Sequence, residues 1–266
     1  MKRPLLLALA CIFSGITQAQ QSKWDSYNKT TPAGKQLIRV NNTLYDAEPI
    51  NKTPFLVKVT HYYTGGEVSK LPTKSETANL AKIQEATKLL LCTKTDCNLA
   101  GASYHNKVCN VYLYAADTTG LRSLVKAYYK KKGYSKYALD IKEDRRWDGY
   151  FTVLFPTEEE RQMIYYRRIA DWLVRSGDKL DKPHKVTYWA YFKSEEDMRN
   201  CKECLKNKQF TVATATKKPY SRCEMRFYHT TPITPEAILS AVKEIKGQLA
   251  VNGGAYGGWQ TIVAVR

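Results

Sequence analysis

The chain has 266 residues, with 42 Lys and Arg against 25 Asp and Glu, a formal net charge of +17. Its 43% hydrophobic content and 19 Tyr argue for a packed globular protein and against disorder. The positive balance favours anionic partners such as nucleic acid, lipid headgroups, polyanionic glycans or an acidic protein, although scattered lysines also serve solubility alone.

The chain opens with MKRPLLLALACIFSGITQA. Lys2 and Arg3 form a positive n-region, and Leu5 to Ile16 form an apolar run too short to span a bilayer. Thr17-Gln18-Ala19 then offers a small-residue cleavage site before Gln20. Residues 1–19 therefore read as a secretory signal peptide, which places the mature protein in the periplasm or outside the cell. A lipoprotein reading is weaker, because Cys11 sits inside the apolar run with Ala8 where a Leu is usual. Removing Lys2 and Arg3 leaves 40 basic against 25 acidic residues, a net charge of +15. No later apolar run approaches the ~20 residues of a membrane helix, so a soluble mature chain without a span is expected.

Residues 20–54 are polar, with Pro32, Gly34, Pro49 and Pro54, and Gln36 to Tyr45 as one edge strand. Phe55 to Tyr62 reads as a strand. A helix follows from about Lys74 to Leu91, with Leu80, Ile83, Thr87 and Leu90 on one face. Leu99 to Tyr104 and Val108 to Ala115 form a hairpin. A second helix covers about Thr119 to Lys132 and stops at Gly133, and Tyr137 to Ile141 supplies another strand. Gly149 to Phe155 reads as a further strand, followed by a helix from about Glu158 to Arg175. The three leading glutamates of that helix suit the positive end of its dipole. Asp181-Lys182-Pro183 makes a linker.

The order then repeats. Val186, Tyr188, Ala190 and Phe192 alternate with Lys185, Thr187, Trp189 and Tyr191, a strand signature. Ser194 with Asp197 starts a helix to about Asn207, and strands follow at Phe210 to Thr216 and Arg222 to Thr230. The last helix opens at Thr234-Pro235, and a final strand runs from Trp259 to Val265. The expected fold is α+β: two tandem ferredoxin-like (βαββαβ) domains, each an antiparallel sheet with its helices on one face, over residues 20–182 and 183–266.

Six cysteines lie beyond the signal peptide, and an even count in an exported chain suggests disulfides. Cys92 and Cys97 are placed to close a small loop between a helix end and the next strand. Cys109, Cys201 and Cys223 fall on inward faces, so buried thiols are an alternative for them. Cys201-Lys-Glu-Cys204 is a CxxC, but Cys201 lies two turns inside its helix, too far from the N-terminus for the dipole to activate it. Zinc would need Cys223 and His229 as further ligands; a disulfide from Cys201 or Cys204 to Cys223 is the preferred reading, with no metal or cofactor.

Tyr128-Tyr-Lys-Lys-Lys-Gly-Tyr-Ser-Lys-Tyr137 is the densest basic and aromatic patch. Lys130, Lys131, Lys132 and Lys136 with Tyr134 could track phosphates and stack bases. A helix C-terminus with lysines meeting the dipole and tyrosines packing inward explains the same residues. Lys217-Lys218-Pro219-Tyr220 reads as a hairpin turn. The four histidines are far apart, and no Walker loop, dinucleotide-binding glycine pattern or nucleophile elbow is present, so no catalytic residue is expected. Asn252 to Gln260 reads as a loop whose glycines supply positive-φ turns, with Tyr256 and Trp259 anchoring the last strand.

That loop, with Tyr256-Gly257-Gly258-Trp259, resembles the Tyr-Asp-Gly-Trp signature of the bacterial regulators of ribonuclease E activity, type B. Upstream, Trp147…Tyr150…Phe155-Pro156, Arg161-Gln162, Gly177-Asp178 and Trp189…Tyr191-Phe192 resemble the bacterial domain of unknown function 695, as do Leu71-Pro72-Thr73 and Val111-Tyr-Leu-Tyr114. The two families commonly occur fused in this order. The chain departs from them at Gly257, where the signature is acidic, and at Tyr166, His184 and Thr187-Tyr188, where relatives carry Asn, Arg and Asp-His. The resemblance implies a protein that binds a ribonuclease, yet those relatives are acidic and cytoplasmic while this chain is basic and carries a leader.

The expectation is therefore an exported, non-enzymatic binding protein acting through protein–protein contacts, in the manner of an inhibitor or immunity protein. A periplasmic binder of nucleic acid or glycan is the first alternative. A cytoplasmic-type ribonuclease regulator is the second, should the leader not be cleaved.

Overall fold

The computed structural model describes residues 24–32, 34–45, 52–66, 70–217 and 222–264. The leader expected over 1–19 and most of the turn expected at 217–220 lie outside them. The chain divides into two compact units, Met1–Phe155 and Pro156–Arg266. Among the described residues no helix is long and apolar enough to cross a membrane.

The first unit begins with a hairpin, β1 (Trp24–Thr31) and β2 (Gly34–Asn41). Then come β3 (Phe55–Tyr62), α1 (Lys74–Leu91), β4 (Cys97–His105), β5 (Val108–Ala115), α2 (Leu121–Lys132) and β6 (Tyr137–Glu143). These six strands form one antiparallel sheet in the order β1-β2-β4-β5-β3-β6. The edge strand is thus β1, with Gln36–Asn41 second from the edge. β1 was invisible to an alternation argument because Asp25, Ser26, Asn28 and Lys29 surround its one buried residue, Tyr27.

α1 starts where Thr73 and Glu76 form a reciprocal capping box, and α2 stops at Gly133 in the left-handed conformation, φ 72°. Leu80 and Leu91 of α1 and Leu121, Val125 and Tyr129 of α2 pack with Val57, Val59, Cys109, Val111 and Leu113 of the sheet. Polar side chains, Gln84, Thr87 and His61 among them, are buried in the same layer. Gln84 donates to the Tyr104 hydroxyl at 2.8 Å, and Thr87 meets the Tyr129 hydroxyl at 2.7 Å.

Gly149–Leu154 is a π-helical turn, not the strand its apolar run implied. The Asp144 carboxylate receives the amide hydrogens of Asp148 and Gly149 and the Tyr114 hydroxyl, at 2.8, 2.9 and 2.7 Å. The Tyr150 amide in turn donates to the Tyr114 hydroxyl at 3.0 Å. Trp147 stacks on Tyr114 with ring centroids 4.0 Å apart, and the Tyr150 hydroxyl donates to the Asn41 carbonyl at 2.9 Å. Trp147 and Tyr150 stand three residues apart, a spacing that a coiled backbone can aim at one surface and an extended one cannot.

The second unit comprises α3 (Glu158–Arg175), β7 (His184–Phe192), α4 (Glu195–Asn207), β8 (Thr211–Lys217), β9 (Cys223–Thr231), α5 (Pro235–Val251) and β10 (Gly254–Gln260). Its antiparallel sheet runs β10-β7-β9-β8. Tyr166, Ala170 and Leu173 of α3 lie in one core with Val186, Tyr188, Phe192, Cys201, Phe227 and Ile245. The boundary therefore falls at Phe155/Pro156 and not at 182/183. The apolar stripe of α3 is buried in the core of the second unit, against α5 and the sheet, so the linker at 181–183 is only a connection within that unit.

Candidate functional site

The signature residues lie on the edge of the second sheet. α5 ends at Val251, Gly253 turns the chain with φ 64°, and β10 pairs antiparallel to β7 from Gly254 onward. The expected loop is thus mostly strand, interrupted by a bulge between Tyr256 and Gly258, where Gly258 has φ 137°. The bulge shifts the alternation, so Tyr256 and Trp259 both pack against the core. Trp259 meets Tyr166 edge-on at 5.9 Å. The Tyr256 hydroxyl is buried with no hydrogen-bond partner, and burial raises its pKa. Gly257 and Gly258 take the outer side, where the Trp189 indole covers both. A Cβ at Gly257 would stand 2.2 Å from Trp189 Cδ1, and one at Gly258 2.7 Å from Cζ2. Sequence reading had placed Trp189 on the outer face of β7 but missed its partner across the strand pair.

Beneath this edge the core holds further unpartnered polar atoms, the Tyr188 hydroxyl and His229 Nδ1. Tyr188 stacks on His229 at 5.6 Å and on Phe227 at 5.8 Å. Burial lowers the His229 pKa, which keeps the imidazole neutral in this apolar setting.

Asp178 and His184, expected only as motif positions, form a buried pair. His184 Nε2 donates to Asp178 Oδ2 at 2.7 Å, and both side chains are almost fully enclosed. Asp178 also accepts the amides of Leu180 at 2.9 Å and Ala264 at 2.8 Å. Burial pushes the Asp178 pKa up, but the Ala264 and Leu180 amides and His184 outweigh it and hold the carboxyl at about 2. One carboxylate thereby ties the end of α3, the start of β7 and the C-terminal tail. His184 Nδ1 has no partner among the described residues, and the ties made by Asp178 are those of a structural clamp.

Cys92 and Cys97 form a disulfide joining the C-cap of α1 to the first residue of β4. The expected bridge from Cys201 or Cys204 to Cys223 is absent. Cys109, Cys201, Cys204 and Cys223 are free thiols. Cys201 and Cys223 pack as small apolar side chains in the second core, and burial, with Cys204 adding to it, pushes the Cys201 thiol up to about 12. Cys109 is pushed up to about 12 by burial as well. Such thiols are poor nucleophiles. Among the described residues no three His, Cys, Asp or Glu side chains gather as metal ligands.

In the basic patch the structure separates lysines from tyrosines. Lys130, Lys131, Lys132 and Lys136 are exposed at one end of α2. Tyr134 and Tyr137 turn inward and meet Tyr129 edge-on at 5.3 and 4.6 Å. Tyr128 keeps Lys132 Nζ 5.9 Å from its ring centroid. Cationic groups are thus gathered, while Tyr134 is committed to packing and offers no open stacking platform.

A family model described as a family of unknown function, DUF695, matches residues 22–155, and one described as regulator of ribonuclease activity B matches residues 164–261. No curated protein matches. Solved structures similar to the chain include an unknown protein from Galdieria sulphuraria, at 9% identity and TM-score 0.22, over 79% of this chain and 99% of that one. Another is a putative glycine cleavage system transcriptional repressor, at 6% identity and TM-score 0.23, over 79% of this chain and 96% of that one. At these TM-scores neither bears on fold or function. The first family model covers half of the chain and the second most of the second unit: the chain belongs to the DUF695 family, and its residues 164–261 are similar to the regulators of ribonuclease activity B.

Proposed function

We propose that the chain is an exported, non-enzymatic protein of two ferredoxin-like repeats that binds another protein and regulates it. The observation that carries this reading is the match of residues 164–261 to a family described by regulation of a ribonuclease. The β-α-β-β-α-β succession in each unit, with strand orders β6-β3-β5-β4 and β10-β7-β9-β8, supports the repeat. The charged, apolar and small-residue segments of 1–19 support export, and an exported chain would meet a target other than a cytoplasmic ribonuclease. An inhibitor or immunity-type protein is the specific form of the proposal.

The test is to express the full chain with its own N-terminus, measure its intact mass in the periplasmic fraction, and identify cross-linked partners from the envelope. A mature chain beginning at Gln20 with a stoichiometric protein partner is expected. A chain retaining residues 1–19 in the cytoplasm overturns export and favours the cytoplasmic-type regulator. Turnover of a substrate by the purified chain, with no partner captured, overturns the binding reading.

A polyanion-binding reading draws on the exposed Lys130, Lys131 and Lys132 at one helix end. It requires salt-sensitive retention on heparin that is lost when all three become Glu. Unchanged retention removes it.

A further inference from the structure

α2 shows solvent a single sign of charge. Leu121, Val125 and Tyr129 lie in the core of the first unit, with Leu124 and Tyr128 packed against it. The remaining positions up to Lys131 are Arg122, Ser123, Lys126, Ala127, Lys130 and Lys131, and all six are exposed. This outer arc holds four cations, two small residues and no carboxylate. The acidic residues that flank the helix in sequence are engaged elsewhere. Asp117 accepts the Thr119 amide at 3.1 Å, and Asp140 pairs with Lys58 at 3.4 Å. Among the described residues no carboxylate pairs with any of the four cations. Arg122 gives one N–H to the Leu139 carbonyl at 3.2 Å, and Leu139 belongs to β6, the edge strand of its sheet. The helix therefore lies against the margin of the first unit.

We infer that this arc enters the major groove of double-stranded DNA, an inference that rests on the polyanion-binding reading above. The direction of the cations decides the shape of the partner. At about 100° per residue, Arg122, Lys126, Lys130 and Lys131 leave the axis at about 0°, 40°, 80° and 180°. A flat anionic surface such as a bilayer meets the middle pair squarely and leaves Arg122 and Lys131 pointing along it. A groove walled by phosphates on both sides meets all four. The major groove of B-DNA is about 12 Å wide, and a helix with its side chains is about 10–12 Å across. Ser123 and Ala127, between the cationic flanks, are small enough to let the backbone approach the floor. No Asn or Gln stands on the arc to read a base edge bidentately, so recognition is of the backbone and independent of sequence. A single strand fits less well, because Tyr134 and Tyr137 pack on Tyr129 and leave no platform for bases. Sequence reading took Lys130, Lys131 and Lys132 as a helix end. It missed Arg122 and Lys126, which join the lysines only once the inward face is known.

The test follows the purified mature chain by fluorescence anisotropy with a labelled DNA duplex, an RNA duplex of the same sequence and an oligothymidylate, and by co-sedimentation with phosphatidylglycerol vesicles. The DNA duplex is expected to bind about tenfold or more tighter than the other two, since the RNA major groove is deep and narrow and a single strand has none. Its log K should fall against log salt with a slope of about −3.6, or about −0.9 for each of four phosphates. Arg122→Gln with Lys126→Gln should reduce that slope by about two, and Lys131→Gln, on the opposite flank, by about one, each with an unchanged circular dichroism spectrum. Lys94→Gln, at an exposed position beyond α1, should leave it as it is. Equal binding of the three oligonucleotides, or a slope that ignores Lys131→Gln, overturns the groove. Vesicle binding that these variants abolish, with no preference for the DNA duplex, assigns the arc to a membrane surface instead. If Lys130, Lys131 and Lys132 as Glu abolish heparin retention while the duplex is not preferred, the groove is wrong and the polyanion reading stands. Heparin retention that ignores those three changes is the failure of that reading itself.

Discussion

The Trp189 indole spans the glycine pair of β10, so closely that a Cβ at Gly257 would lie 2.2 Å from its Cδ1. The related signature carries an acidic residue at this position, and with Trp189 in place none fits. Positions 189 and 257 are thus one coupled choice. Gly257→Asp is expected to destabilise the protein by about 1–3 kcal/mol through overpacking. Adding Trp189→Ala should recover most of that loss in a denaturant-unfolding double-mutant cycle. Equal costs for Gly257→Asp with and without Trp189 would break the coupling.

Asp178 is the single acceptor for Leu180, Ala264 and His184, and it has no replacement. Asp178→Asn presents amide hydrogens to groups that are themselves donors, so a loss of roughly 3 kcal/mol or more is expected, as for breaking a buried pair. Its folded pKa is held at about 2, below the ordinary aspartate value of 3.8. The stabilisation is therefore complete above the unfolded value and disappears as pH falls between the two. Hydrogen exchange at the Ala264 amide should accelerate in the variant at neutral pH. An unaltered rate would remove the clamp.

His61 is a second source of pH dependence, with opposite chemistry. Thr87 Oγ1 donates to the Ile83 carbonyl and meets the Tyr129 hydroxyl at 2.7 Å, leaving the Tyr129 oxygen to accept from His61 Nε2 at 3.2 Å. Burial lowers the His61 pKa from 6.5 to about 4, so the unfolded chain takes up a proton that the folded one refuses. Stability from this residue is full above pH 6.5 and is lost progressively toward pH 4, by roughly 3 kcal/mol in all. The urea midpoint should fall over that window in the wild type and stay flatter in His61→Phe. Identical pH profiles would show that His61 is not the group responsible.

The disulfide makes a prediction that mass spectrometry reads directly. Alkylation of the denatured, unreduced chain should label Cys109, Cys201, Cys204 and Cys223 and leave Cys92 and Cys97 joined in one cross-linked peptide. Replacing both bridged cysteines by Ala should cost about 2 kcal/mol, the chain-entropy value for so short a loop. Label at Cys92, or protection at Cys201, contradicts the arrangement.

Local chemistry carried much of the fold. Ser194 and Asp197, Thr234 with Pro235, and Gly133 marked helix ends because caps satisfy backbone groups within a few residues. The alternation in β7 and β9 sorted inward from outward residues for a similarly local reason. Gly149–Leu154 escaped that logic. Its apolar run resembles a strand, and only Asp144 and Tyr114 receiving its amides coil the backbone instead. The Cys201 and Cys223 thiols were equally ambiguous, since a buried cysteine and a bridged one share the same pattern.

By itself the sequence determined the order of helices and most strands, the small Cys92–Cys97 loop and the resemblance of each half to a known family, all matters of short-range pattern. Tertiary structure decided the rest. It assigned α3 to the second unit, set Trp189 against Gly257, and joined Asp178 to His184 and Ala264. Each of these depends on which surfaces meet across long stretches of chain, and burial of apolar area is indifferent to sequence order. Only the packed molecule shows which face of a helix is already in use.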